Sequence, residues 1–119
     1  MTKEHIVASV DQLAEGEKLI VEVNGREIGI FNVKGEYYAL LNYCFHQGGP
    51  LCKGAVTGRV IADAESNWQR RWVQDGEILR CPWHFMEFDI KTGKSIIYPE
   101  RGVRTYTVEV RADKLVLIV

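Results

Sequence analysis

A chain of 119 residues has room for one domain with a modest core and none for two full domains. Its hydrophobic share of 46% and charged share of 26% are those of a globular protein and exclude a disordered one. A net charge of −1 supplies no basic footprint for nucleic acid or an anionic membrane surface, and no apolar run approaches the length of a membrane-spanning helix.

The predicted elements are short strands separated by turns. His5 to Val10 alternates weakly and is the first strand, followed by a turn at Ala14-Glu15-Gly16-Glu17. Lys18 to Val23 and Glu27 to Val33 are β-rich runs joined at Asn24-Gly25, a two-residue hairpin signal. Lys34-Gly35-Glu36 turns into a strand over Tyr37 to Leu41. Ala62 to Arg71 could coil into one or two helical turns, and no other segment has helical length and periodicity. Asp75-Gly76 is a second hairpin signal, leading into Glu77 to Arg80. Thr92-Gly93 separates strands at Phe88 to Ile90 and Ser95 to Tyr98. The clearest strand is Arg104 to Arg111, with Tyr106, Val108 and Val110 on one face, and Asp113-Lys114 then turns into Leu115 to Val119. An all-β sandwich or partly open barrel follows.

The N-terminal MTKEHIVASV has no basic start followed by a long apolar run, so a cytoplasmic location with reduced thiols is expected. Three cysteines without a secretory signal do not make a disulfide framework. Two motifs use most of the Cys and His: Cys44-Phe45-His46, trailed by Gly48-Gly49-Pro50-Leu51, and Cys81-Pro82-Trp83-His84. Thiolate suits iron–sulfur clusters and zinc, and imidazole suits zinc and iron. Zinc fingers usually pair Cys with Cys and His with His, whereas here each pair mixes the two. Mixed pairs let each loop hand one ligand to each iron of a [2Fe–2S] centre in which two His replace two Cys on one iron. A Cys2His2 zinc site is the rival reading; packing of all four side chains as ordinary core is the bland one.

Cys-x-His followed later by Cys-x-x-His resembles the Rieske family, and the likeness extends over most of the chain, including Phe88-Asp89, Thr92-Gly93 and Thr105-Tyr106. It is most similar to the ferredoxins that feed ring-hydroxylating oxygenases and to stand-alone Rieske domains. The resemblance implies a Rieske-like antiparallel β-sandwich, residues 1–119 forming a single domain, with a small cluster-binding subdomain built by two loops at about 43–52 and 80–89. It implies one Rieske-type [2Fe–2S] cluster per chain, with Cys44 and Cys81 on one iron and His46 and His84 on the other, nearer the surface. Gly48, Gly49 and Pro50 would give a tight loop whose N–H groups approach the cluster sulfurs, and Tyr98-Pro99 would belong to a third, covering loop.

The chain departs from the family at three places. The 34 residues between His46 and Cys81 are roughly twice the usual gap, which places an insertion at about 59–76. Phe85 stands where the family has Gly, so it must take an ordinary backbone conformation or cover the cluster. The high-potential branch carries a disulfide between its loops and Ser and Tyr hydroxyls near the cluster; Gly49, Trp83, Met86 and Phe88 stand at the matching positions. A low potential is therefore expected.

Cys52 matches no ligand position and reads as a small buried residue or loop thiol, and His5 as a surface or edge side chain. Trp68, Arg70, Arg71 and Trp72 could form a docking surface, but the favoured reading is a hairpin ending at Asp75-Gly76 whose tryptophans pack on the domain. Tyr37, Tyr38, Tyr43 and Tyr106 read as strand and core residues.

One His outside the motifs cannot build a mononuclear iron site, and no G-x-G-x-x-G fingerprint is present. The expected protein is thus an electron carrier and not an enzyme in itself, working between a flavin-dependent reductase and a terminal oxygenase or other redox enzyme, with no nucleic-acid or membrane partner. The alternatives are a small Rieske subunit of a larger oxidoreductase, resembling the small subunit of assimilatory nitrite reductase, and a structural zinc module.

Overall fold

The computed structural model describes residues 3–44, 49–65, 67–83 and 85–119. Its strands run in chain order as β1 (Glu4–Ser9), β2 (Lys18–Val23), β3 (Arg26–Val33), β4 (Glu36–Leu41), β5 (Ala55–Ile61), β6 (Arg71–Arg80), β7 (Glu87–Asp89), β8 (Thr105–Arg111) and β9 (Lys114–Ile118). Single 3-10 turns lie at Val10–Gln12 and Leu51–Lys53, and no α-helix occurs among the described residues. One sheet has the order β1-β9-β8-β4-β3-β2 and the other β5-β6-β7, with every strand pairing antiparallel. The all-β expectation holds.

Three hairpins owe their register to two-residue turns in which both residues have positive φ. These are Asn24-Gly25 at 53° and 78°, Lys34-Gly35 at 53° and 92°, and Ala112-Asp113 at 48° and 65°. Such turns match the right-handed twist of the strands they join. The first two use Gly for the left-handed backbone; the third uses none.

The large sheet is two three-stranded halves, linked at β4–β8 through the pairs Ala39↔Tyr106 and Leu40↔Thr105. The halves share one cluster, to which Ile28 and Ile30 come from one side and Leu115 and Leu117 from the other. Phe31, Val33 and Leu40 instead join Leu79, Phe88, Cys44 and Cys81 in a second cluster, between the large sheet and the small one. β3 is therefore covered on both faces, and residues 28–33 are all buried. Asn32, the polar member of that run, is satisfied there: its Nδ2 donates to Leu13 O at 2.9 Å and its Oδ1 accepts from Gly35 N–H at 2.9 Å.

The second half of the chain corrects several expectations. The described residues of 62–71 contain no helix; β5 and β6 pair directly, from Ala55↔Arg80 to Ile61↔Arg71. Asp75-Gly76 does not end a hairpin. It lies in a bulge inside β6, where the register shifts between Thr57↔Ile78 and Arg59↔Val73. Gln74 and Gly76 there have φ of 54° and 76°, the backbone that an Asp-Gly turn also requires. The dipeptide reports local backbone, and the pairing on either side decides whether the chain reverses. The tryptophans do not pack on the domain: Trp68 is 70% exposed and Trp72 53%. Trp72 lies over Gly58 of its own hairpin, where a Cβ would fall 2.7 Å from the ring, and its Nε1 donates to Asp75 Oδ1 at 3.0 Å.

Ser95 to Tyr98 is not a strand. Ser95 makes one bridge to Phe88, and Ile97 and Tyr98 then turn outward into solvent. Tyr43 is likewise exposed, whereas Tyr37, Tyr38 and Tyr106 belong to the two clusters. His5 lies on the edge strand β1, as read, but its Nε2 is buried.

Candidate metal centre

Cys44 follows β4 and Cys81 follows β6, so adjacent ends of the two sheets deliver the two thiols. Both join the cluster between the sheets, with Cys44 1% exposed and Cys81 0% exposed. Neither is in a disulfide.

The segments they open are closed in the same way. Cys44 N–H donates to Gly49 O at 2.9 Å, and Cys81 N–H donates to Met86 O at 2.8 Å, each across five residues. Phe85 N–H also donates to Cys81 O at 3.1 Å, tightening the second segment. His46 and His84 fall, in sequence, between the ends of these closures. Both lie outside the described residues, as do Gly48 and the other residues at 45–47. Among the described residues no group of three or more His, Cys, Asp or Glu is arranged to hold a metal ion.

Gly49 shows how closely the two segments approach. A Cβ there would stand 2.9 Å from Cγ and Cδ2 of Trp83 and 3.2 Å from Cys81 Sγ. Gly54 repeats the pattern one turn later, where a Cβ would overlap Arg80 O at 1.7 Å. Glycine at both positions lets the first segment lie directly against the second. Two buried cysteines outside any disulfide at the mouths of paired loops, with backbone this near one sulfur, fit the thiolate half of an iron–sulfur site.

Phe85 does not take the ordinary backbone conformation that is one expectation for it. Its φ is +58°, so it keeps the left-handed backbone that Gly would take, and its side chain is 69% exposed. It adopts neither an ordinary conformation nor a buried position. Trp83 and Tyr43 are exposed beside the same two cysteines in sequence.

Cys52 is a core residue. It is fully buried, its Sγ donates to Leu40 O at 3.5 Å, and its N–H donates to Asn42 Oδ1 at 2.7 Å. Burial is the main cause that pushes its thiol up to about 12, against a smaller opposing pull from the Gly29 backbone and Lys18. It stays a neutral thiol, unlike a metal-binding thiolate.

A family model described as the Rieske [2Fe-2S] domain matches residues 3–107. The ferredoxin component of the naphthalene 1,2-dioxygenase/salicylate 5-hydroxylase systems of Ralstonia sp is 32% identical over 111 residues, covering 92% of this chain and 89% of that protein. The ferredoxin component of the Pseudomonas putida naphthalene 1,2-dioxygenase system is 31% identical over 103 residues, 86% of this chain and 82% of that one. Among solved structures, the ferredoxin of carbazole 1,9a-dioxygenase from Nocardioides aromaticivorans IC177 superposes with a TM-score of 0.71 at 27% identity, over 96% of this chain and 95% of that chain. With the family model spanning both cysteine segments and the fold shared from end to end, the chain belongs to the Rieske [2Fe-2S] family, and its cofactor is a Rieske-type [2Fe–2S] cluster.

Proposed function

We propose that this chain is the ferredoxin component of a ring-hydroxylating dioxygenase system, a one-electron carrier that takes electrons from a flavin-dependent reductase and delivers them to a terminal oxygenase. Its ligands on this reading are Cys44 and Cys81 for the inner iron and His46 and His84 for the outer one. The observation that carries the assignment is the pair of matched loop closures, each starting at a buried cysteine and spanning a His in sequence.

The cluster supplies a one-electron acceptor of low reorganisation cost when bound. The chain's own residues do the rest. The closures Cys44–Gly49 and Cys81–Met86 hold the backbone at each cysteine from which the thiol projects. Burial of Cys44 and Cys81 in an apolar cluster keeps water from the sulfur side. Exposed Tyr43, Trp83 and Phe85 flank the cysteines in sequence and leave apolar area for brief contact with a partner. The protein works in the cytoplasm on this reading, with residues 1–119 as one cluster-bearing domain. No helix among the described residues is long and apolar enough to cross a membrane.

Chemical analysis of anaerobically purified protein tests the assignment. Two irons and two acid-labile sulfides per chain are expected, with a visible spectrum that bleaches on dithionite. Cys44→Ser and Cys81→Ser should lose the cluster, and Cys52→Ala should keep it. One zinc per chain in colourless protein ends the reading. Reconstitution with a flavin reductase and a dioxygenase then tests the partners: turnover must depend on added holoprotein.

A further inference from the structure

The two cysteine-bearing segments leave different sheets, and the pair Ala55↔Arg80 with the close approach of Gly54 to Arg80 O ties them together only on the β5–β6 side. Each is closed by its own N–H···O bond, Cys44 N–H to Gly49 O and Cys81 N–H to Met86 O. Across the gap between them, the indole of Trp83 lies on the bare α-carbon of Gly49, close enough that a Cβ would come within 2.9 Å of two ring atoms. Trp83 is 47% exposed, so it is divided between the first segment and solvent. A core role does not account for it: Trp83 belongs to neither buried cluster.

We propose that Trp83 is a positioning residue, a non-covalent clasp whose indole, seated on Gly49, holds the Cys44 and Cys81 segments at the separation the cluster needs. This rests on the assignment of the cluster to those segments. The contact is a large flat ring on a small flat surface, which maximises dispersion over a small area and excludes water from the Cys81 sulfur beside it. Gly49 is the matching half: any side chain there would lift the ring or push on Cys81 Sγ, 3.2 Å from the Cβ position. The pair therefore acts as a unit, and its two members should be energetically coupled.

The test is a double-mutant cycle on the holoprotein, read as the rate at which the visible cluster band decays anaerobically in excess chelator. Trp83→Ala is expected to lose its cluster about tenfold faster than wild type. Trp83→Phe, which restores a ring on Gly49, should stay within about threefold. Gly49→Ala should accelerate loss in the wild-type background and clearly less once Trp83 is Ala, where only Cys81 Sγ, 3.2 Å from the added Cβ, is still crowded. Far-UV circular dichroism should be unchanged throughout. A Trp83→Ala rate within twofold of wild type overturns the clasp, and so do Gly49 and Trp83 effects that simply multiply. Should Trp83→Ala purify without cluster, Trp83→Phe decides: a loaded Phe variant supports the clasp, and an empty one rejects it. Cys44→Ser is the control for the underlying site. If that variant keeps a wild-type cluster, the site assignment has failed and not the clasp.

Discussion

Cys52 Sγ stands 2.5 Å from the point where a Cβ on Gly29 would sit. Gly29 is a central residue of β3, paired with Ile20 and Leu40, so its backbone cannot retreat without breaking two ladders. The missing side chain is thus filled by a thiol from the 3-10 turn that follows the first cysteine segment. Gly29→Ala should destabilise the protein by about 2–3 kcal/mol through overpacking. Cys52→Ala should cost about 1 kcal/mol for the lost sulfur. Combined, they should cost somewhat less than the sum, because losing the sulfur removes one of two close contacts with the added methyl, the other being Cys52 Cβ at 2.6 Å. Urea denaturation of the four proteins measures this. Additive costs would show that Gly29 is kept for another reason.

Phe85 holds a left-handed backbone with an exposed ring, so no core packing repays its strain. That backbone costs a non-glycine residue roughly 1–2 kcal/mol, whereas glycine's extra freedom in the unfolded chain costs up to about 1 kcal/mol. Phe85→Gly should therefore leave stability unchanged or raise it by about 1 kcal/mol. If the ring meets a redox partner, the same variant should lower the second-order rate of electron transfer severalfold while cluster content and thermal midpoint stay intact. Stopped-flow reduction of a partner oxygenase reads the rate and calorimetry the stability. A marked fall in Tm would mean that Phe85 packs in a way its exposure does not reveal.

Much of this molecule was legible in sequence because its signals are local. Asn24-Gly25 and Lys34-Gly35 demand positive φ at both positions, and hairpins formed there. The alternation of Tyr106 and Val108 gave β8 its core face. The same logic failed at Asp75-Gly76, which lies in a bulge, whereas the turn expected at Asp113-Lys114 forms one residue earlier, at Ala112-Asp113, without glycine. The two thiols were singled out by motif spacing, and the structure buries both in one cluster. The Gly49–Trp83 contact could not be read in advance, since it joins residues 34 positions apart and depends on how two loops meet. Nor could the exposure of Trp68 and Trp72: composition suggests burial for a tryptophan, but their hairpin runs past the core.

Glu77 links the bulge of β6 to its surroundings, with Lys34 Nζ at 3.1 Å and Lys91 Nζ at 3.5 Å. Its carboxyl is held below the ordinary carboxylate range, first by the hydrogen bond from Lys34 and then by the charge of Lys91, against partial burial. A depressed carboxylate contributes stability above its unfolded pKa and loses it as pH falls through the lower folded value. Glu77→Gln should cost about 0.5–1 kcal/mol at neutral pH, a modest amount because Lys34 is largely exposed. The difference from wild type should shrink as pH drops below about 4 and persist at pH 6–8. Denaturant midpoints of both proteins across pH 2.5–8 check the sign. A gap that widens in acid contradicts it.

The cluster's potential follows from what surrounds the second cysteine segment. Reduction adds negative charge, which hydrogen-bond donors near the sulfurs stabilise. At the positions where the high-potential branch has its disulfide and hydroxyls, this chain has Gly49, Trp83, Met86 and Phe88. Phe88 is fully buried and Met86 packs against the same apolar cluster. The midpoint should accordingly lie near the bottom of the Rieske range, around −150 mV. Met86→Ser, which places a hydroxyl on the residue whose carbonyl closes the segment, should raise it by on the order of 50 mV, since one charge-assisted hydrogen bond is about 1.5 kcal/mol and this is a one-electron couple. Protein-film voltammetry of both proteins decides the matter. A wild-type midpoint well above zero, or a serine variant that moves downward, would mean that other donors control the potential and that the apolar setting does not.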